Sequence, residues 1–148
     1  MEIKEVKRNK KQYLSLLLLA DEQENMVDRY LAHGTMYVLD DKGIKAECVV
    51  TDEGNGILEI KNIATDPDSQ RRGYGKALID FISSKYQGKY SVLQAGTGDS
   101  PLTVPFYEKC GFSRSHVVEN FFTDNYDHPI YEAGIQLKDM VYLRKKLV

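Results

Sequence analysis

Gln70-Arg71-Arg72-Gly73-Tyr74-Gly75 gathers two guanidinium groups and two glycines in one short stretch. A strand-like run, Gly56 to Thr65, precedes it, and a helix-like run, Lys76 to Ile82, follows. Glycine lets the backbone approach a ligand closely, and the first N–H groups of a helix have no partner inside the helix. Those donors, the positive end of the helix dipole and the adjacent arginines suit a phosphate. The chemistry implied is the grip on a nucleotide-like cofactor. A dinucleotide fingerprint needs a third small residue three positions after Gly75, where Leu78 stands. A Walker-type loop needs Gly-Lys-Ser/Thr after a four-residue spacer, and neither spacing nor hydroxyl is present. What remains is a Gln/Arg-x-x-Gly-x-Gly/Ala pattern, for which a solvated turn is the plain alternative.

The elements around this turn can be read from periodicity. Residues 1–6 read as a strand, 9–20 as a helix, and 22–33 as a second helix stopped at Gly34. Thr35 to Leu39 and Ile44 to Thr51 form a predicted hairpin around Asp40-Asp41-Lys42-Gly43. In the next strand Leu58 and Ile60 share one phase, whereas Ile63 and Thr65 fall in the other. Such a slip predicts a β-bulge near Lys61-Asn62, with a strand end at Lys61 as the simpler alternative. Gly75, Leu78, Ile79, Ile82 and Tyr86 make the apolar stripe of a helix over 75–87. A strand over 90–97, a short helix from Thr103 to Cys110, and strands over 113–121 and 136–145 complete the reading. The tract 122–131 between the last two is polar, aromatic and unassigned.

Composition bounds the functions. At 148 residues with a net charge of −2, the chain reads as one domain, 1–148, with no general affinity for nucleic acid. Cys48 and Cys110 have neither metal nor disulfide spacing and read as reduced, buried, cytosolic thiols. Basic residues 7–11 followed by an apolar run resemble a leader. The run is short, however, and Asp21-Glu22 follows at once, so a buried helix of a cytoplasmic protein is expected and no membrane span.

A second motif joins the first. Phe106-Tyr107-Glu108-Lys109-Cys110-Gly111-Phe112 lies downstream of the turn. In both motifs and in element order the chain resembles the GNAT family of acyl-CoA-dependent N-acetyltransferases. Among these it is most similar to small bacterial members labelled indole-acetic-acid acetyltransferase, a label that does not establish a substrate. The resemblance implies an α/β fold, with a mixed central sheet of about seven strands, helices on both faces and splayed fourth and fifth strands. It implies acetyl-CoA as cosubstrate, its pyrophosphate held by Gln70, Arg71, Arg72, Gly73, Tyr74, Gly75 and Lys76. Its pantetheine arm would pair with Ile63, Ala64 and Thr65, where a backbone N–H polarises the thioester carbonyl.

Acetyl transfer needs a neutral amine, a polarised carbonyl and a proton for the leaving thiolate. The resemblance gives that last task to Tyr107, whose plain alternative is a core aromatic. Glu59 stands where histone-acetylating relatives carry a base; the alternatives are a pair with Lys61, or a water chain and no dedicated base. Cys48 and Cys110 lack a histidine motif, which argues for direct attack. His33, His116 and His128 have no metal spacing, so no metal is expected, and His128 is a weaker candidate for proton relay. Asp124, Asp127 and Glu132, with Phe121, Phe122, Tyr126 and Tyr131, are a candidate seat for a cationic amine, or a solvated loop. Asp99 stands where many members carry Asn, and Pro105 sits two before Tyr107; both depart from the family pattern. The acceptor would be a small-molecule or peptide amine. A non-catalytic acyl-CoA-binding or sensor module is the rival reading. A homodimer through Met140 to Leu143 is weighed against core packing of the same residues.

Overall fold

The computed structural model describes residues 1–147. Its seven-stranded sheet contains β1 (Glu2–Val6), β2 (Thr35–Asp40), β3 (Ile44–Asp52), β4 (Ile57–Thr65), β5 (Val92–Gly98), β6 (Ser113–Val118) and β9 (Met140–Lys146). The spatial order is β1-β2-β3-β4-β5-β9-β6, and β4–β5 is the one parallel pair. A small hairpin of β7 (Ile130–Glu132) and β8 (Ile135–Leu137) stands apart.

Alternation along β3 and β4 gives the sheet two buried faces. On one, Cys48, Val50, Leu58 and Ile60 pack with Leu78, Ile79 and Ile82 of α3 (Tyr74–Tyr86), as the helical stripe predicts. Two further helices cover the other. They are α1 (Leu14–Ala20), entered by a 3-10 turn over Lys10–Tyr13, and α2 (Glu24–Val27), and they contribute Leu17 and Val27 against Met36, Val38 and Val49.

Three expectations change. The helix over 22–33 is regular only through Val27, then continues as bonded turns to Gly34. The Lys10 ammonium collects the loose carbonyls of Leu31 (2.8 Å) and Gly34 (2.6 Å), so the end is capped from outside. The strand over 136–145 is divided between β8 and β9. β9 has β5 on one side and β6 on the other, so Val141 and Leu143 are core residues and offer no free edge for a dimer. The unassigned tract contains α5 (Phe121–Asn125) and β7. Among the described residues, no helix is long and apolar enough to cross a membrane.

Candidate active site

The sheet opens at its centre. β4 pairs with β5 from Ile57 to Ile60 only, opposite Val92 to Ala95; beyond that, Lys61 to Thr65 have no partner on β5. On the β3 side the register jumps from Val49↔Asn62 to Val50↔Ile60, so Lys61 is the extra residue of a bulge. The phase slip in the sequence marks this bulge. The stretch Ile63 to Thr65 therefore pairs with β3 on one side and borders a gap on the other.

The glycine-arginine turn lies just past the end of β4. No backbone N–H from Gln70 through Lys76 donates to another described residue, and the first bond of α3 is Ala77 N–H to Gly73 O. Arg71 and Gly73 both take positive φ (66° and 83°), which turns consecutive amides outward, and nothing lies within 4 Å of where a Gly73 Cβ would stand. Gln70, Arg71, Arg72 and Lys76 are exposed, with Lys76 paired to Asp80 at 2.7 Å. This constellation fits a pyrophosphate. Tyr74 departs from expectation in its side chain. The ring is buried and its hydroxyl donates to Asp41 at 2.6 Å, so only its backbone serves the turn.

The second motif is brought against the first. A Cβ at Gly75 would meet the Phe106 ring at 3.1 Å, so a residue of this size is needed for the start of α3 to pack on α4 (Val104–Lys109). Pro105 occupies the first turn of α4, where its missing N–H costs nothing. Tyr107 follows, buried, with its ring edge-on to Phe106 and Phe112 at 5.3 and 5.4 Å. Its hydroxyl makes no hydrogen bond to another described residue. Burial, reinforced by nearby Cys48, Cys110 and Glu47, pushes its pKa well up, so the phenol keeps its proton at neutral pH.

Glu59 is buried and engaged at both oxygens. One accepts from Gln94 Nε2 at 2.6 Å, the other from Lys61 Nζ at 2.8 Å, and Arg144 Nε donates to Gln94 Oε1 at 2.8 Å. Burial works to lower the Lys61 pKa, but Glu59 and then Glu53 outweigh it and hold the ammonium above its usual value. Glu59 thus closes a charge network.

The aromatic-acidic tract reaches across the fold. Tyr126 donates to Asp21 at 2.6 Å, the Asp127 N–H to Gln23 at 3.1 Å, and Arg29 to Asn125 at 3.2 Å, while His128 pairs with Glu22 at 2.9 Å. Asp21 also accepts from Tyr30 at 3.0 Å, and Tyr30 accepts from Asn62 at 3.0 Å. A continuous polar chain therefore runs from the tract to the bulged strand. Asp21 is held above the ordinary carboxylate range by burial, which outweighs its two phenol donors. Asp21 and Tyr30 were missed by sequence reasoning; the apolar pattern of residues 22–33 absorbed Tyr30 as core, and nothing local marks Asp21.

The expected acidic-aromatic pocket forms in part. Phe122, Tyr126, Asp127, His128, Ile130 and Leu137 line a depression of about 240 Å³. Tyr131 is outside it and exposed, as is Asp124, and Glu132 does not line it. A larger depression of about 400 Å³ lies between the outer side of α1 and Pro67 and contains neither motif. Asp99 is exposed and paired with Arg114 at 3.1 Å; His116 stacks on Tyr142 at 4.7 Å; His33 is exposed. Cys48 and Cys110 are buried, and burial raises both thiols. Among the described residues, no group of three or more His, Cys, Asp or Glu is placed to hold a metal ion.

The chain as a whole is similar to known proteins. Residues 32–114 match the Acetyltransferase (GNAT) domain. The chain belongs to the GNAT family. It is 36% identical over 131 residues to an uncharacterised N-acetyltransferase of Bacillus subtilis (strain 168), covering 86% of this chain and 84% of the relative. A GNAT family acetyltransferase from Elizabethkingia anophelis with acetyl-CoA bound superposes at a TM-score of 0.92, with 34% identity, over 98% of this chain and 97% of that one. A Bacillus subtilis acetyltransferase in complex with CoA gives 0.89 and 33%, over 99% of both chains. An IAA acetyltransferase from Bacillus cereus gives 0.89 and 31%, over 98% of both. This GNAT chain is accordingly an acyltransferase, and its sheet, splay and helices are those of the family.

Proposed function

We propose that residues 1–148 form a single cytoplasmic N-acetyltransferase domain that moves an acetyl group from acetyl-CoA to a primary amine by direct attack. The carrying observation is the run of unpartnered amides from Gln70 to Lys76 at the end of a bulged strand that has parted from its neighbour. The pyrophosphate falls to those amides, with Arg71 or Arg72 adding charge. Ile63 to Thr65 offer the backbone that pairs with the pantetheine arm and polarises the thioester carbonyl. Acetyl-CoA supplies an activated acyl group whose leaving thiolate needs a proton.

Tyr107 is the donor of that proton in this reading. It is neutral at working pH, buried, and has no competing acceptor among the described residues. Glu59 enters as the residue that holds Lys61 and Gln94 in place; a base role for it requires release of Lys61. Neither thiol is activated, since burial raises both, which favours direct transfer over an acyl-cysteine.

Calorimetry with acetyl-CoA, CoA and ATP on the wild type and Gly73→Glu tests the first half. Selective binding of acetyl-CoA, lost in the variant, is the expected result; indifference of the wild type to acetyl-CoA refutes the reading. Release of thiol in the presence of tryptamine, spermidine or a short peptide with a free N-terminus tests the second half. Tyr107→Phe separates an enzyme from a binding module: turnover falls roughly 100-fold with acetyl-CoA affinity retained.

A further inference from the structure

Glu47 lies on the α1 face of β3, one residue before Cys48 of the opposite face. Its side chain is 0% exposed, and neither carboxyl oxygen has a hydrogen-bond partner among the described residues. Its neighbour across the ladder is Ala64, a small residue near the end of β4. Two positions back along β4, Asn62 gives its amide N–H groups to Leu17 O and Tyr30 Oη and keeps Oδ1 buried without a donor. Two orphaned acceptor oxygens thus lie on β3, opposite Ala64, and a third on β4 at Asn62, along the stretch of β4 that has lost β5.

A buried carboxylate with no partner costs several kcal/mol, and buried polar atoms in folded proteins nearly always find donors. The groups on which the Glu47 charge bears are Tyr30, Cys48 and Tyr107. Burial raises all three, so none is charged at neutral pH and none is a counter-ion. The same burial drives the Glu47 acid well above its ordinary range. The complement of this cluster is a compact cation with several N–H donors. Glu59, the other buried carboxylate near the gap, has both oxygens taken by Lys61 and Gln94.

We propose that Glu47 and the Asn62 side-chain oxygen form the seat of the acceptor's amino group, and that Glu47 takes its proton. This rests on the acetyl-transfer reading above and names the acceptor's charge and the residue that neutralises it. The ammonium gives one proton to the Glu47 carboxylate, and the freed nitrogen lone pair forms the C–N bond to the acyl carbon. Collapse breaks the C–S bond; the thiolate takes the Tyr107 proton, and the phenolate regains one from the amide nitrogen. Docking of the ammonium first releases the resting Glu47 proton to solvent, the one proton of the net reaction, and Glu47 ends protonated as it began.

The test is carbon NMR of the full chain labelled at the glutamate carboxyl, with Glu47→Gln and Glu47→Asp assigning the resonance. Alone at neutral pH, Glu47 shows the protonated acid. With saturating CoA and n-butylamine it moves to the carboxylate position, and 1-butanol in place of the amine leaves it unmoved. In kinetics with tryptamine, Glu47→Gln lowers kcat/KM roughly 100-fold without lowering Tm, and removes the acid limb of the pH profile. A resonance that ignores butylamine, or wild-type kcat/KM in Glu47→Gln, overturns the seat. A wild type that binds acetyl-CoA but acetylates no amine overturns the acceptor class instead, so the two failures are distinct.

Discussion

β3 and β4 serve two faces built to opposite standards. Toward α3, the residues Cys48, Val50, Leu58 and Ile60 are at most 3% exposed, apolar, and leave no buried polar atom unsatisfied. Toward α1, Glu47, Thr51, Glu59 and Asn62 are at most 5% exposed yet polar, and Glu47 and Asn62 keep atoms without partners. The same backbone supports both because successive side chains alternate. The bulge at Lys61 keeps them distinct. In a regular strand with Lys61 paired like its neighbours, Asn62 would share the phase of Ile60 and enter the apolar face. One face supplies cohesion, and the other gives up some of it to keep polar groups, which the proposed seat assigns to the acceptor amine.

The sharpest way to break this contrast is to damage the dry face. Ile82→Ala removes a side chain that is 0% exposed and remote from the turn. It should cost about 2–5 kcal/mol in a denaturant titration, while kcat per folded molecule stays at the wild-type value. A loss of kcat without a loss of stability would erase the division of labour. Next comes Glu59→Gln on the polar face. It leaves the Lys61 ammonium half-satisfied in a partly buried position, at a cost of about 1–3 kcal/mol. Both changes destabilise, as most substitutions of buried groups do.

Glu47→Leu should do the opposite. Exchanging an unpartnered buried carboxyl for an apolar group of similar reach removes a desolvation cost of about 1–3 kcal/mol. Tm in the absence of ligand should therefore rise by a few degrees while turnover collapses. A fall in Tm would show that Glu47 is satisfied in the resting fold.

The sequence revealed the parts of this arrangement that are local. The Gln70–Gly75 turn and the Phe106–Phe112 signature are contiguous, and the slip between Ile60 and Ile63 marks the bulge within one strand. Phe106 packed on Gly75 joins the two motifs, a contact that follows from small and large residues in the right elements. Residues that meet across the chain were not visible. Tyr126 and Asp21 are separated by 105 positions, and no periodicity links them. The helix over 22–33 was overextended because an apolar stripe does not announce an ammonium from Lys10 that ends it. Glu47 left a trace that was not read: it is the one ionisable carboxylate inside the run Ala46 to Val50, whose other members are apolar. A charge in the centre of a doubly buried strand has no structural excuse, and that is a signal in itself.

The smallest expected effect lies at the rim of the polar face, where the tract docks on the loop after α1. His128 is about half exposed and bonded to Asp127 and Glu22; these two bonds raise its pKa above the ordinary histidine value, and burial opposes them only weakly. A raised folded pKa means that the contact stabilises fully below the unfolded value, near 6.5, and is lost as pH rises through the folded value. The Asp127 N–H bond to Gln23 belongs to the same junction, so exchange of that amide should quicken over that interval. His128→Gln should flatten the dependence, and added salt should weaken it, since both charges face water. The Tyr126–Asp21 bond, two residues away and partly buried, should hold its protection across the same range, because burial keeps the Tyr126 phenol protonated and shields the bond from water. Equal loosening of both bonds would mean that the tract is released as one unit with the histidine as its latch.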